Sequence, residues 1–404
     1  MPLSGIKVLD LTRVLAGPFC TMLLADMGAE VIKIEALPGG DPIRTQGASQ
    51  NGLSLYFATF NRNKKSLTLN LKSAEGRALF EALVAGADVV VDNFRPGVLD
   101  RLGLGRERLR SLKPGLICAS ISGFGETGPY RDRPAFDFIA QAMSGFMSLN
   151  GGADDPPLRS GPIGDLIAGL YAALGIAAAL VGRERTGEGD VVTTSLTSGL
   201  VSFLSYASSH YFATGDILAR TGNDHPITAP YGMFETSNGS IAIAPADETF
   251  FVKLVRALGL EEAMEPARIR DQCDAGEKPR MGRTIADRQA EAARQRILDR
   301  AAERGGRSVR PRLFGGPGVE RSADRRSADG ARLRGPPKHG KVRVLGHPVK
   351  FADHPCRPPV SVPGLGEHRD EILAGLGLTP AQIADLQARP DCLRSYPFRK
   401  EACA

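Results

Sequence analysis

Short apolar runs recur through the first 120 positions, separated by stretches of helix length. Gly5-Ile6-Lys7-Val8-Leu9-Asp10-Leu11 predicts a strand, followed by a turn at Ala16-Gly17-Pro18. A helix runs from about Phe19 to Met27, since proline suits a first helical turn, and Gly28 ends it. Glu30–Glu35 is the next strand, and strand–helix–strand in so few residues implies a parallel pair. After a polar stretch rich in Gly and Pro come a strand at Ser66–Leu71, a helix at Ala74–Ala85, and strands at Asp88–Val91 and Leu116–Ile121. The pattern predicts a doubly wound, Rossmann-like α/β sheet of parallel strands.

The most apolar helix follows later. Leu166–Val181 is Leu, Ile, Ala and Gly on almost every side, which predicts a helix buried all round rather than a membrane span. Asp165 precedes it as the expected N-cap, where its carboxylate would satisfy free N–H groups. A second role is open to the same residue. Gly161 and Gly164 carry no Cβ, so a substrate could approach the backbone closely, and free amides at a helix start can stabilise an oxyanion. A carboxylate held ionised there by the helix dipole is a candidate covalent nucleophile. Residue types alone do not choose between cap and nucleophile.

At 404 residues the chain is long enough for two domains. It opens Met1-Pro2-Leu3-Ser4-Gly5 with neither a basic leader nor an apolar secretory core, so a cytoplasmic location is expected. Its six cysteines lie far apart, with no CxxC or metal-ligand spacing, so neither disulfides nor a metal site is expected. The net charge of +6 suggests nucleic acid until it is mapped. Residues 268–334 hold 17 Arg and 1 Lys against 10 acidic residues, a net of +8, so the rest of the chain carries −2. The basicity belongs to one window, without any nucleic-acid-binding motif, and no nucleic-acid partner is expected.

The GxGxxG fingerprint is missing after the first strand, where Arg13-Val14-Leu15-Ala16-Gly17-Pro18 stands instead, which argues against an ordinary dinucleotide site. Cationic loops are present: Asn61-Arg62-Asn63-Lys64-Lys65, Lys72, and Asn93-Phe94-Arg95-Pro96-Gly97 with Arg101. Ligands of open α/β sheets bind beyond the carboxyl ends of the strands, and several of these cations fall there, as a phosphate-rich ligand requires.

These residues carry a resemblance. Gly5–Thr12, Leu15-Ala16-Gly17-Pro18, Gly28–Glu35, Asn61–Ser66, Asn93–Gly97, Phe136-Asp137-Phe138-Ile139-Ala140-Gln141-Ala142 and Gly364-Leu365-Gly366-Glu367-His368 resemble the family III CoA-transferases, the group that includes the 2-methylacyl-CoA racemases. The resemblance implies that Asp165 is the nucleophile, carrying CoA as an aspartyl thioester between an acyl-CoA donor and a carboxylic acid acceptor. It implies CoA contacts at Leu15, Ala16, Leu69, Asn70, Leu71, Lys72, Asn93, Phe94, Arg95 and Arg101, with Phe136 and Asp137 on the pantetheine path. Ala36 stands where some members have Arg. The racemase branch has a His immediately before the position of Asp137, because racemisation needs a base on each face of the α-carbon. Phe136 stands there and moves no proton, which favours transfer over racemisation.

The family architecture implies a large CoA-binding domain over 1–215, a smaller α+β domain over 216–337, and a segment over 338–404 returning to the first. It also implies an open-ring chain interlocked with a second copy as a homodimer. His225, near the start of the small domain, is open to two roles, an acceptor contact or a hydrogen-bonded loop His. The Arg-rich window departs from the family. Codons can be chosen for Arg310–Arg325 and Ile269–Arg280 such that one and the same single-nucleotide shift yields family-like strings. A pair of compensating frameshifts over about 268–336, in the gene or in its sequencing, is therefore inferred; shifts real in the organism would damage the small domain and impair the enzyme, resequencing the locus tests it, and an unshifted frame would end the idea. The tail from Arg389 to Ala404 is also unlike the family.

Overall fold

The structure is a computed structural model describing residues 1–228, 230–236, 239–245, 247–258, 331–334 and 340–388. The chain forms two compact units. One comprises Met1–Phe146, Arg159–Ser205 and Asp324–Ala404, the other Met147–Leu158 and Tyr206–Ala323. The first unit is built on a six-stranded sheet of β1 (Lys7–Asp10), β2 (Glu30–Glu35), β3 (Lys64–Thr68), β4 (Val89–Asp92), β5 (Ile117–Ser122) and β6 (Val191–Ser195). The strands lie in the order β3-β2-β1-β4-β5-β6, every neighbouring pair parallel. This is the expected doubly wound sheet, with β6 added at one edge. Its order reverses between β1 and β4, which opens a crevice at their carboxyl ends.

Both faces of the sheet are covered, so its strands are apolar on both sides. Along β1, Val8 enters one core with Val31, Val89 and Ile117, while Leu9 enters the other with Ile32, Leu67 and Val90. The first core is closed by α1 (Ala16–Asp26) and by α4 (Ile163–Thr186), the second by α2 (Ala74–Ala85). Two short helices, α3 (Asp137–Met143) and α5 (Leu196–Ser202), flank the start of α4.

Two expectations about α4 need correction. It begins at Ile163 with Pro162 as its N-cap, so Asp165 lies inside the first turn and is not the cap. Nor is it buried all round. Ile167, Ala168, Ala172, Ile176 and Leu180 face the core, whereas Leu170, Leu174 and Val181 are 52%, 62% and 57% exposed. Composition could not separate the two faces because both are apolar.

The expected cationic loop at Asn61–Lys65 is also corrected. Arg62 and Lys64 are buried and paired, Arg62 forking onto Asp26 and Lys64 reaching Asp10 at 3.0 Å. Lys65 pairs with Glu30 and Glu371. Lys64 Nζ, fully buried, also donates to the Pro18 carbonyl, the Thr21 hydroxyl and Asn61 Oδ1. Burial alone would raise the Asp10 carboxyl, but Lys64, Lys33 and hydrogen bonds from Thr12 and Thr21 outweigh it and hold it at about 2. These cations hold the sheet to α1 and are spent. The Gly364–His368 motif docks on β3, where Gly366 N–H donates to Ser66 Oγ and His368 N–H to the Ser66 carbonyl.

The second unit contains the helix Tyr206–Thr214, an antiparallel hairpin of Gly232–Thr236 and Gly239–Ile243, and the helix Glu248–Leu258. His225 Nδ1 accepts the Ile227 and Thr228 amides, and its ring packs 5.0 Å from that of Tyr231, as a loop-ordering His does. The inferred frameshift window, apart from residues 331–334, and the tail from 389 lie outside the described residues.

Candidate active site

The first turn of α4 is capped from outside. Asp137 Oδ1 accepts the amides of Gly164 at 2.7 Å and Asp165 at 3.2 Å. Its other oxygen accepts Gln141 Nε2 one turn further along α3. Gln141 also donates to the Gly161 carbonyl at 2.8 Å and accepts the Ser160 amide at 3.0 Å. The Phe136–Ala142 motif therefore clamps the entry to α4. Placed at Gly164, a Cβ would lie 2.9 Å from both Asp137 Oδ1 and Leu200 Cδ1. Glycine here serves helix packing, and the Gly164 and Asp165 amides are taken, so the expected oxyanion donors are corrected to capped amides. Gly161 is exposed, with open space where a Cβ would be.

With the cap supplied by Asp137, the Asp165 carboxylate is left for other work. It is partly exposed, and burial, then the charge of Asp137, raise it to about 7. The expectation that the helix dipole holds it ionised is reversed, because desolvation and a like charge outweigh a dipole worth about 0.3–1 kcal/mol. A carboxylate poised near neutrality is more basic, and a stronger nucleophile once ionised, than a solvated one.

Beyond the carboxyl ends of β1, β2, β3 and β4 lies a groove of about 800 Å³. Of the expected CoA contacts, Leu69, Asn70, Leu71, Lys72, Phe94 and Arg101 line it, together with Arg13 and the wall Ala36–Pro42. The other expected contacts lie elsewhere. Leu15 and Ala16 are buried at the start of α1, where the Ala16 carbonyl would be 2.4 Å from a Cβ on Gly169 of α4, one turn past Asp165. Asn93 is not in the lining, and both ends of its amide are bound to Arg13. Its Oδ1 accepts the Arg13 amide at 2.9 Å and its Nδ2 donates to the Arg13 carbonyl at 2.7 Å. Arg95 sits on the turn after β4 outside the lining, and Phe136 is 73% exposed ahead of α3. Asp137 is the cap of α4, spent on its amides and on Gln141.

Lys72, Arg101 and Arg13 make no ion pair among the described residues, whereas the two carboxylates of the wall are neutralised. Glu35 is forked by Arg44 at 2.7 Å and Asp41 is met by Lys33 at 2.9 Å. The groove thus offers free cations and no free anion, the electrostatics a polyphosphate needs. Tyr56, absent from the sequence expectations, feels charges from both regions. Its hydroxyl is pushed up by burial and then by the charges of Asp165 and Asp41, the latter a groove residue.

Residues 3–369 match the model of CoA-transferase family III. This chain belongs to that family. It is 38% identical over 397 residues to the succinyl-CoA–D-citramalate CoA-transferase of Chloroflexus aurantiacus, covering 96% of this chain and 97% of the relative. It is 46% identical over 263 residues to the acetyl-CoA:oxalate CoA-transferase of Acetobacter aceti, covering 65% and 68% of the two chains. A CaiB/BaiF family protein from Brucella suis has a similar crystal structure, with a TM-score of 0.75, 34% identity, and coverage of 93% of this chain and 99% of that one. The protein is therefore a CoA-transferase, with CoA as a substrate and the doubly wound sheet as its scaffold. The signals that sequence reasoning passed over were positional: Arg13 follows the end of β1 at the reversal of strand order, and Gln141 lies one helical turn after Asp137.

Proposed function

We propose that this CoA-transferase moves CoA from an acyl-CoA thioester to a free carboxylic acid through an aspartyl-CoA thioester on Asp165. The observation that carries the reading is a partly exposed carboxylate relieved of capping by Asp137 and poised near neutral pH. In the first step an Asp165 oxygen attacks the thioester carbonyl carbon, the C–S bond breaks, and CoA thiolate leaves a mixed anhydride. The thiolate then attacks the Asp165 carbonyl carbon, the bond to the donor acyl oxygen breaks, and the donor acid departs as a carboxylate. An acceptor carboxylate repeats both steps in reverse order and leaves as the new thioester, restoring Asp165. Anhydride and thioester are close in energy to the substrates, so neither exchange is steeply uphill.

The acids are short dicarboxylic acids in this reading, which the citramalate and oxalate of the named relatives support. The groove holds the nucleotide end of CoA through Lys72 and Arg101. The exposed apolar face of α4 supports a homodimer in which a second copy covers it. A reduced, cytoplasmic enzyme completes the proposal.

Mass spectrometry of the protein after incubation with succinyl-CoA tests it. A CoA adduct is expected on the peptide containing Asp165 and none on Asp165→Asn. Exchange of the α-hydrogen for deuterium without any acceptor acid, and without an adduct, would replace transfer by racemisation.

A further inference from the structure

One groove cation has no assigned task. Arg13 is exposed, lines the groove and makes no ion pair among the described residues, and its guanidinium lies 4.8 Å from the centre of the Phe94 ring. Its backbone is fixed with unusual thoroughness. The Thr12 carbonyl receives buried Lys33 at 2.8 Å, the Arg13 amide and carbonyl are both bound by Asn93, and the Val14 amide donates to Asp41. Val14 is held left-handed at φ +68°, a costly conformation for a β-branched residue. Three different segments thus pay to keep this turn in one shape, as happens where a turn presents a side chain to a ligand.

We propose that Arg13 is a phosphate ligand of the nucleotide moiety of CoA, and that Asn93 is the positioning residue that aims it. The inference rests on the reading that the groove holds CoA. The Phe94 ring keeps the guanidinium plane in place, so that its forked N–H donors meet phosphate oxygens pairwise.

Calorimetric titration of the full chain with CoA, dephospho-CoA and pantetheine tests this. Arg13→Met is expected to weaken CoA roughly tenfold to a hundredfold while pantetheine, which has no phosphate, binds as to wild type. Equal weakening of dephospho-CoA assigns the contact to the pyrophosphate, and its sparing assigns the contact to the 3′-phosphate. Asn93→Ala is expected to weaken CoA in the same direction, with the double variant no weaker than Arg13→Met alone. Unchanged CoA binding by Arg13→Met, equal loss of pantetheine, or additive losses in the double variant would overturn the assignment. Failure of the wild type to bind CoA at all would instead remove the reading of the groove.

Discussion

The Asp137 carboxylate accepts the backbone amide of Asp165 at 3.2 Å and also raises the pKa of that residue's side chain. Asp137 therefore does two things: it caps the helix that presents Asp165, and its charge adds to burial, the larger cause, in keeping Asp165 protonated above the usual carboxylate range. Asp137→Ala is expected to lower stability by about 0.5–2 kcal/mol through the lost cap. Both Asp137→Ala and Asp137→Asn should shift the pH midpoint of adduct formation downward, because both remove the like charge. Single-turnover rates measured from pH 5 to 9, a range of about two units either side of neutrality, check the shift.

In the proposed mechanism ionised Asp165 is the attacking form, so adduct formation should rise with pH and level off above about 7. Stability should run the other way. The native state keeps a proton on Asp165 that the unfolded chain releases from about 3.8 upward, so unfolding free energy falls as pH rises between 3.8 and about 7. At about 1.4 kcal/mol per unit the loss is at most about 4 kcal/mol. Asp165→Asn should flatten that slope in urea unfolding curves and be more stable than wild type at pH about 8.

Removing the ammonium of Lys64 leaves Asp10 charged and buried without its nearest counter-charge. Lys64→Met is expected to cost about 3–5 kcal/mol in denaturant unfolding. Replacing Asp10 by Asn in the same chain should recover part of that loss, since no orphan charge then remains.

The apolar stripe of Leu170, Leu174 and Val181 on α4 predicts association between copies of the chain. Light scattering is expected to report a dimer for the wild type and a monomer for Leu174→Asp, because a buried unpaired carboxylate is costly at such an interface. A monomeric wild type would leave that face without a partner copy.

Several features were legible along the chain because they depend on neighbours in sequence. Five of the six strands of the parallel sheet, the helix Ala74–Ala85, Lys72 and Arg101 beyond strand ends, and Asp165 at the head of an apolar helix follow from periodicity and turn chemistry, whereas the edge strand Val191–Ser195 was not predicted. What the pattern leaves open is which of many similar charges is free. Arg62 and Lys64 looked like ligand cations as much as Lys72 did, but Asp26, 36 positions away, and Asp10, 54 positions away, consume them.

By itself, then, the sequence determined the doubly wound sheet, the cations Lys72 and Arg101 beyond its strand ends, and the place of Asp165 at the head of an apolar helix. Only the tertiary structure decided that Asp165 is no cap and sits near neutral pH, that Asn93 serves Arg13, and that the Gly164 amide is already taken. The physical reason is that each of these depends on a carboxylate, amide or dipole brought close by the fold. Asp137 meets Asp165 across 28 residues of chain, and a charge's meaning is set by its neighbours in space.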